Sequence, residues 1–315
     1  MKELVEAMIK KDIHTTYTAA LQAMALQKIN PKKYQWRIAQ CAQFLVENQC
    51  ENGQWDYGEK IVSDFKPPKE EPPTISTDGE KKPAAKKYNA GQTQRLPQIP
   101  VPPKRKKGPP NGDNSNAQYA ALGLRACIDA GLVIPRETLV KAREWWTKSQ
   151  NQDGGWGYNG DGSMDGGGIE NETGVSNASY GSMSAGAVGA LCIYKHYLGE
   201  TFKSDMPVLR GLDWLTKNYD VKKNPFKKNF AYLYYLYALE RAGLLYGTEK
   251  FGAREWYPEG AHHLLDTQKA NGEWNTADAI THGGIADTCF AILFLRRGTT
   301  PLVPQKIESG GGKKK

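Results

Sequence analysis

A glycine-rich loop places oxygen-bearing side chains at Asp161, Ser163, Asp165 and Glu172. That spacing suits the oxygen-only coordination of calcium. Ser at the third loop position and Gly168 at the eighth depart from the pattern, and a flexible acidic loop is the expected structure. Phe230, Tyr234 and Tyr237 recur at helical spacing on one face of an apolar run, with Tyr232 and Tyr235 on another. Aromatic faces so arranged hold cations by their π electrons, and they also fill cores. His14, His196, His262 and His263 fall in separate elements, so no nucleophile–His–carboxylate set follows from their positions. No phosphate-cradling glycine loop follows a strand.

The elements that carry these residues are helical. Five stretches are apolar on most faces and rich in small residues: 15–28, 114–131, 181–198, 227–246 and 284–297. Four more are amphipathic, 33–49, 135–150, 204–218 and 253–269, and residues 2–11 read as a remnant fifth. Gly131, Gly199, Gly243 and Gly298 stand just past apolar runs, as helix stops. Pro135 and Ser204-Asp205 read as starts. A helix apolar all round must be covered on all sides, whereas a one-stripe helix can lie outside it. Alternation of the two types predicts an inner layer ringed by an outer one.

Where an amphipathic stretch ends, the same spacing returns. Gln49, Gly53 and Trp55, then Gln150, Gly154 and Trp156, then Gln268, Gly272 and Trp274 all read Q-x3-G-x-W. Internal repetition at helix ends marks an array of helical units. Gln can satisfy orphan groups at a helix end, Gly permits the turn and Trp covers the junction. A fourth copy between Trp214 and Phe226 is degenerate, with Tyr219 in place of Gln.

Charge and composition limit the partners. The net charge is +8, yet residues 60–112 hold 12 Lys/Arg against 5 Asp/Glu, and Lys313–Lys315 add more, so the folded body is slightly acidic. A nucleic-acid-binding fold concentrates positive charge on its structured face, and none is expected to bind here. Residues 60–112 also hold 11 of the 18 prolines. They read as a disordered insertion whose run Lys104-Arg105-Lys106-Lys107 is a solvated cluster. Residues 1–59 then form the first units, 113–303 the remaining ones, and 304–315 a flexible tail. Nothing reads as a membrane span, and the first 12 residues lack a secretory pattern. The five cysteines show no CxxC and read as buried thiols of a reducing, cytoplasmic compartment.

The repeat, with an aromatic five residues before Gln at Phe44 and Trp145, resembles that of terpenoid cyclases such as squalene–hopene cyclase. Protein prenyltransferase β subunits share the fold. The resemblance implies an all-α, α/α toroid of about five inner and outer helix pairs around a cavity. It covers the chain outside 60–112 and the tail. A full toroid of that family has about six pairs, so the chain is expected either to form an open arc or to be completed by a partner or a further N-terminal segment.

The resemblance also sets chemical expectations. Cyclases of this kind use a DxDD acid, and no DxDD occurs here. Prenyltransferases bind zinc through Asp-x-Cys and a later His. Asp287-Thr288-Cys289 matches the first part, and His282 is the nearest substitute for the second. Zinc needs three or four ligands, so Asp287 is expected to cap its helix and no cofactor is expected. The leading reading is a non-catalytic binding or scaffold module whose Tyr-lined concave interior takes an apolar, isoprenoid or peptide ligand at Phe230, Tyr234, Tyr237 and Asp287. The alternative is an isoprenoid-processing enzyme with a non-standard acid at Asp287 or Asp278, or a non-standard metal site.

Overall fold

The computed structural model describes residues 2–68, 96–159, 177–276 and 284–302. These residues are mostly helical: α1 (Lys2–Lys10), α2 (Thr16–Ile29), α3 (Pro31–Glu47), α4 (Asn114–Asp129), α5 (Arg136–Lys148), α6 (Gly181–Leu198), α7 (Met206–Lys217), α8 (Tyr232–Tyr246), α9 (Trp256–Thr267) and α10 (Ile285–Leu295). Among the described residues, strands form only two short pairs. β1 (Ile99–Pro100) runs parallel to β2 (Leu132–Val133), and β3 (Lys250–Phe251) antiparallel to β4 (Arg254–Glu255). The chain is thus all-α in class. No described helix is long and apolar enough to cross a membrane.

Helix starts follow local chemistry. The side chains of Thr15, Asn30, Asp113 and Asp205 accept bonds from first-turn amides of α2, α3, α4 and α7, which would otherwise lack partners. α8 ends at Gly247 in the left-handed conformation. Gly243, expected as that stop, lies inside α8. A Cβ there would come within 2.7 Å of the Trp256 indole, so the glycine is needed for close packing and not for termination.

The alternation of helix types is realised in packing. α2, α4, α6, α8 and α10 contact one another in that order. α4, α6 and α8 are buried almost all round, whereas α5, α7 and α9 bury one stripe. α3 lies on α2 and α4, α5 and α7 lie on α6, and α9 touches α8 and α10. Ile38, Leu45, Leu124, Leu191, Leu236 and Leu239 are wholly buried in the core, each stabilising by about 1.5–3 kcal/mol relative to exposure. α10 is the exception among the apolar helices: it buries only Asp287, Ala291 and Phe294.

Two stretches differ from the sequence reading. The helix anticipated over 227–246 begins only at Tyr232. Asn224 ties the preceding residues into a turn: its Oδ1 accepts from Ser182 N (3.0 Å) and its Nδ2 donates to Phe230 O (3.0 Å). Phe226, Lys228 and Ala231 are left-handed there, at φ +63°, +51° and +49°, a conformation costing a non-glycine residue about 1 kcal/mol or more. Phe230 therefore precedes α8 and does not share the Tyr234–Tyr237 face.

The described flanks of the insertion, 60–68 and 96–112, do not loop out. They lie along α3 and are held by side-chain amides of that helix and of its C-cap, Asn48. Gln35 Nε2 donates to Pro97 O (2.8 Å), Gln40 Nε2 to Phe65 O (2.8 Å) and Asn48 Nδ2 to Glu59 O (3.0 Å), while Gln43 Oε1 accepts from Asp64 N (2.9 Å). The basic run serves the same attachment. Lys104 Nζ donates to Glu47 O at 2.6 Å at the end of α3, Arg105 pairs with Glu47 and Asp64, and Lys107 pairs with Glu51. Most of the insertion (69–95) and the tail from 303 lie outside the described residues.

Candidate functional site

The Gln–Gly–Trp junctions share one bonding scheme. Gln49, Gln150 and Gln268 Nε2 donate to Gly53, Gly154 and Gly272 O at 3.3, 2.8 and 2.9 Å. Trp55, Trp156 and Trp274 Nε1 donate to Leu45, Trp146 and Leu264 O at 2.7, 2.9 and 2.8 Å. Each glycine is left-handed, at φ +97°, +94° and +84°, which favours glycine. Two of the glutamines also reach the next amphipathic helix. Gln49 Nε2 donates to Thr138 O of α5 and Gln150 Nε2 to Pro207 O of α7, both at 2.9 Å. The first two junctions thus tie the end of α3 to α5 and the end of α5 to α7.

Between α2, α4, α8 and α10 lies a tyrosine column. Tyr17 Oη and Tyr234 Oη both hydrogen-bond Ser115 Oγ, at 2.5 and 2.9 Å. The Tyr119 ring lies 4.7 Å from Tyr17 and 6.0 Å from Tyr234, and Phe290 packs 5.7 Å from Tyr234 and 5.9 Å from Tyr237. The buried Arg241 guanidinium stands over Tyr237 (4.2 Å) and Tyr119 (5.6 Å), so ring faces take the place of a carboxylate beside it. Its Nη2 donates to Gln118 Oε1 (2.8 Å), and that amide fits because Gly186, opposite it, has no side chain. Among the described residues, Arg241 Nη1 has no hydrogen-bond partner. Burial pushes the Tyr119 hydroxyl up to about 12, so these phenols stay neutral at physiological pH.

Beside this column is a cavity of about 290 Å³. Leu21, Met24, Leu122, Tyr119, Tyr237 and Phe290 supply its apolar wall, and Lys28, Arg125 and Asp129 its polar part. Arg125 Nη2 donates to Thr300 O (2.6 Å), and Lys28 Nζ bonds Thr300 Oγ1. Residues 298–300 complete the lining and are held from below by Glu240, which accepts from Thr299 N (2.9 Å) and Thr299 Oγ1 (2.6 Å).

Burial raises the Glu240 carboxyl above its ordinary value of 4.5, against the opposing bonds from Thr299. A carboxyl raised in the folded state contributes stability that is complete below the ordinary value and lost as pH rises through the folded one. Urea unfolding at a series of pH values is expected to show this fall, and Glu240→Gln is expected to flatten it.

The residues singled out in the sequence separate in space. Tyr237 lines the cavity and Tyr234 joins the column. Phe230 belongs to the turn before α8, its carbonyl bonded to Asn224. Asp287 is buried and faces the third junction, its Oδ2 accepting from Thr276 N and Oγ1, both at 2.7 Å. Cys289 is exposed, whereas Cys41, Cys50, Cys127 and Cys192 are buried. His282, Asp278 and the Asp161–Glu172 loop lie outside the described residues. Among the described residues, no three His, Cys, Asp or Glu side chains gather as ligands for an ion. Ser115 and Arg241 did not stand out in the sequence. The available signal was Glu240-Arg241, a charged pair inside an apolar helix. No family model matches the chain, and no curated protein matches it.

Proposed function

We propose that this chain is a ligand-binding module, built as an incomplete α/α toroid of the kind seen in terpenoid cyclases and prenyltransferase β subunits. In this reading α2, α4, α6, α8 and α10 are the inner helices, and α3, α5, α7 and α9 the outer ones. The junction bonding supports that architecture, because the first two junctions fasten α5 and α7 in place through the same residue types. One observation carries the functional reading: a cavity with apolar and aromatic walls and two cations, Lys28 and Arg125, against the single carboxylate of Asp129. Such a site fits an elongated apolar ligand bearing an anionic group, its body against Leu122 and Phe290 and its charge near Arg125. Among the described residues, Glu240 bonds Thr299 through both carboxylate oxygens, and Asp287 bonds Thr276 through Oδ2.

Titration with anilinonaphthalene sulfonate, an aromatic anion of the right class, tests this. The expected result is saturable fluorescence displaced by dodecanoate or farnesyl diphosphate. Failure of both to displace the dye contradicts the site. Conversion of squalene or a prenyl diphosphate during incubation contradicts the non-catalytic reading.

A further inference from the structure

Residues 298–302 form a strap that leaves the end of α10 and reaches α8, α4 and α2. Its root is fixed. Arg297 is left-handed at φ +47°, and Gly298 N donates to Leu293 O (2.9 Å), the bond that turns a chain away from a helix end. Arg297 Nη2 also donates to Glu249 Oε1 (2.7 Å). Thr299 is buried on Glu240 of α8, which takes both its amide and its hydroxyl. Thr300, the next residue, is exposed and lines the cavity.

Both cations of the cavity end on this residue. Arg125 Nη2 of α4 donates to Thr300 O at 2.6 Å and more weakly to Pro301 O at 3.2 Å, while Lys28 Nζ of α2 donates to Thr300 Oγ1. Two positive groups from two helices thus converge on two oxygens of a single residue. Neither oxygen carries charge, and a cation bonds a neutral acceptor less strongly than it bonds an anion. Asp129 does not make up the difference. Tyr197 Oη donates to it, and its approach to Arg125 Nε is a long 3.5 Å. The Arg125 side chain is only 10% exposed, so water screens its charge poorly. With Lys28 and Arg125 set against Asp129, one negative charge would balance this end of the cavity.

Resting on the reading of this cavity as a ligand site, we propose that Thr300 holds the place of the ligand's charged group. Lys28 and Arg125 take a carboxylate, which offers two oxygens on one centre and the single negative charge that the site lacks. The carboxylate displaces Thr300 from both cations. Thr299 stays on Glu240, so the strap hinges there and residues 300–302 turn away. The exchange is direct: the guanidinium passes from one acceptor to another and is never left unpaired, which would be costly for so buried a group. The strap therefore weakens carboxylate binding by the bonds that must first break. A neutral ligand of the same shape leaves Thr300 on its cations and meets no such cost.

The test is calorimetric titration of decanoate and of decanol into the full chain and two variants. Thr300→Val keeps the side-chain shape and removes the hydroxyl that occupies Lys28. It is expected to tighten decanoate about threefold or more and to leave decanol unchanged. Thr300→Asp supplies a permanent carboxylate to the same cations. It is expected to weaken decanoate about tenfold or more, again without effect on decanol. The same variant is expected to raise the thermal midpoint, and adding Lys28→Met should remove that rise. Position 300 is exposed, so neither change disturbs the core. Decanoate binding that ignores both substitutions, or that weakens with Thr300→Val, overturns the role of Thr300 and leaves the cavity as a ligand site. An equal shift for decanol makes Thr300 an ordinary wall residue and also overturns it. Failure of the parent to bind either compound overturns the ligand site and this inference together.

Discussion

Gly53→Ala is expected to be among the most damaging single-methyl changes in this chain. The residue sits at φ +97°, and the new Cβ would lie 2.3 Å from Lys141 O and 2.7 Å from Lys141 C. Those are backbone atoms of α5, which cannot swing aside as a side chain can. Relief requires α5 to move off the first junction, and that motion stretches the bond from Gln49 Nε2 to Thr138 O. Backbone strain of about 1–2 kcal/mol and the displaced packing together predict a loss of about 3–5 kcal/mol. Gly154→Ala meets Arg210 O at a looser 2.8 Å and is expected to lose less. Gly272→Ala meets open space and should show only the φ strain, about 1 kcal/mol. Scanning calorimetry of the three variants checks the order. Equal losses would mean that the glycines serve only their own turns and do not admit the next helix.

Trp156→Ala should match or exceed that effect. The indole is wholly buried, donates to Trp146 O (2.9 Å) and receives Gly211 of α7 on its ring edge. Large-to-small changes of this kind cost about 3–5 kcal/mol, and the carbonyl of Trp146 loses its partner as well. Trp156→Phe keeps most of the apolar area and removes the N–H, so about 1–2 kcal/mol is expected. Urea denaturation of the two variants separates packing from hydrogen bonding. A phenylalanine as harmful as alanine would place most of the stabilisation in the single bond.

Much of this architecture was legible in the residues themselves. The repeat of Gln, Gly and Trp marked the ends of α3, α5 and α9, and the two kinds of apolar pattern separated α4, α6 and α8 from α5, α7 and α9, but not α3, which is buried on most faces, or α10, which buries three residues. The Asn224 turn was not legible, because apolar periodicity ran on through Phe226 and Phe230 while side-chain bonds to Ser182 hold the backbone out of the helix. The attachment of the insertion flanks was missed for a related reason. Prolines and lysines suggested a solvated segment, and the signal lay in its receptor, the amides of Gln35, Gln40 and Gln43 in α3 and of Asn48 at its C-terminal cap, where α5 carries charges instead. The cavity was legible only through Tyr237. Its remaining wall combines Leu21, Leu122 and Phe290 from three helices, which no local pattern can bring together.

The central claim is that the cavity beside the tyrosine column is the ligand site. Leu122 lines it from α4 and is 6% exposed, so Leu122→Trp directs the larger ring into the open space. Calorimetric titration of dodecanoate into the parent and into this variant tests the claim most directly. The account predicts saturable binding to the parent and loss of about tenfold or more in the variant, with circular dichroism unchanged. Undiminished binding by a folded Leu122→Trp protein would contradict it.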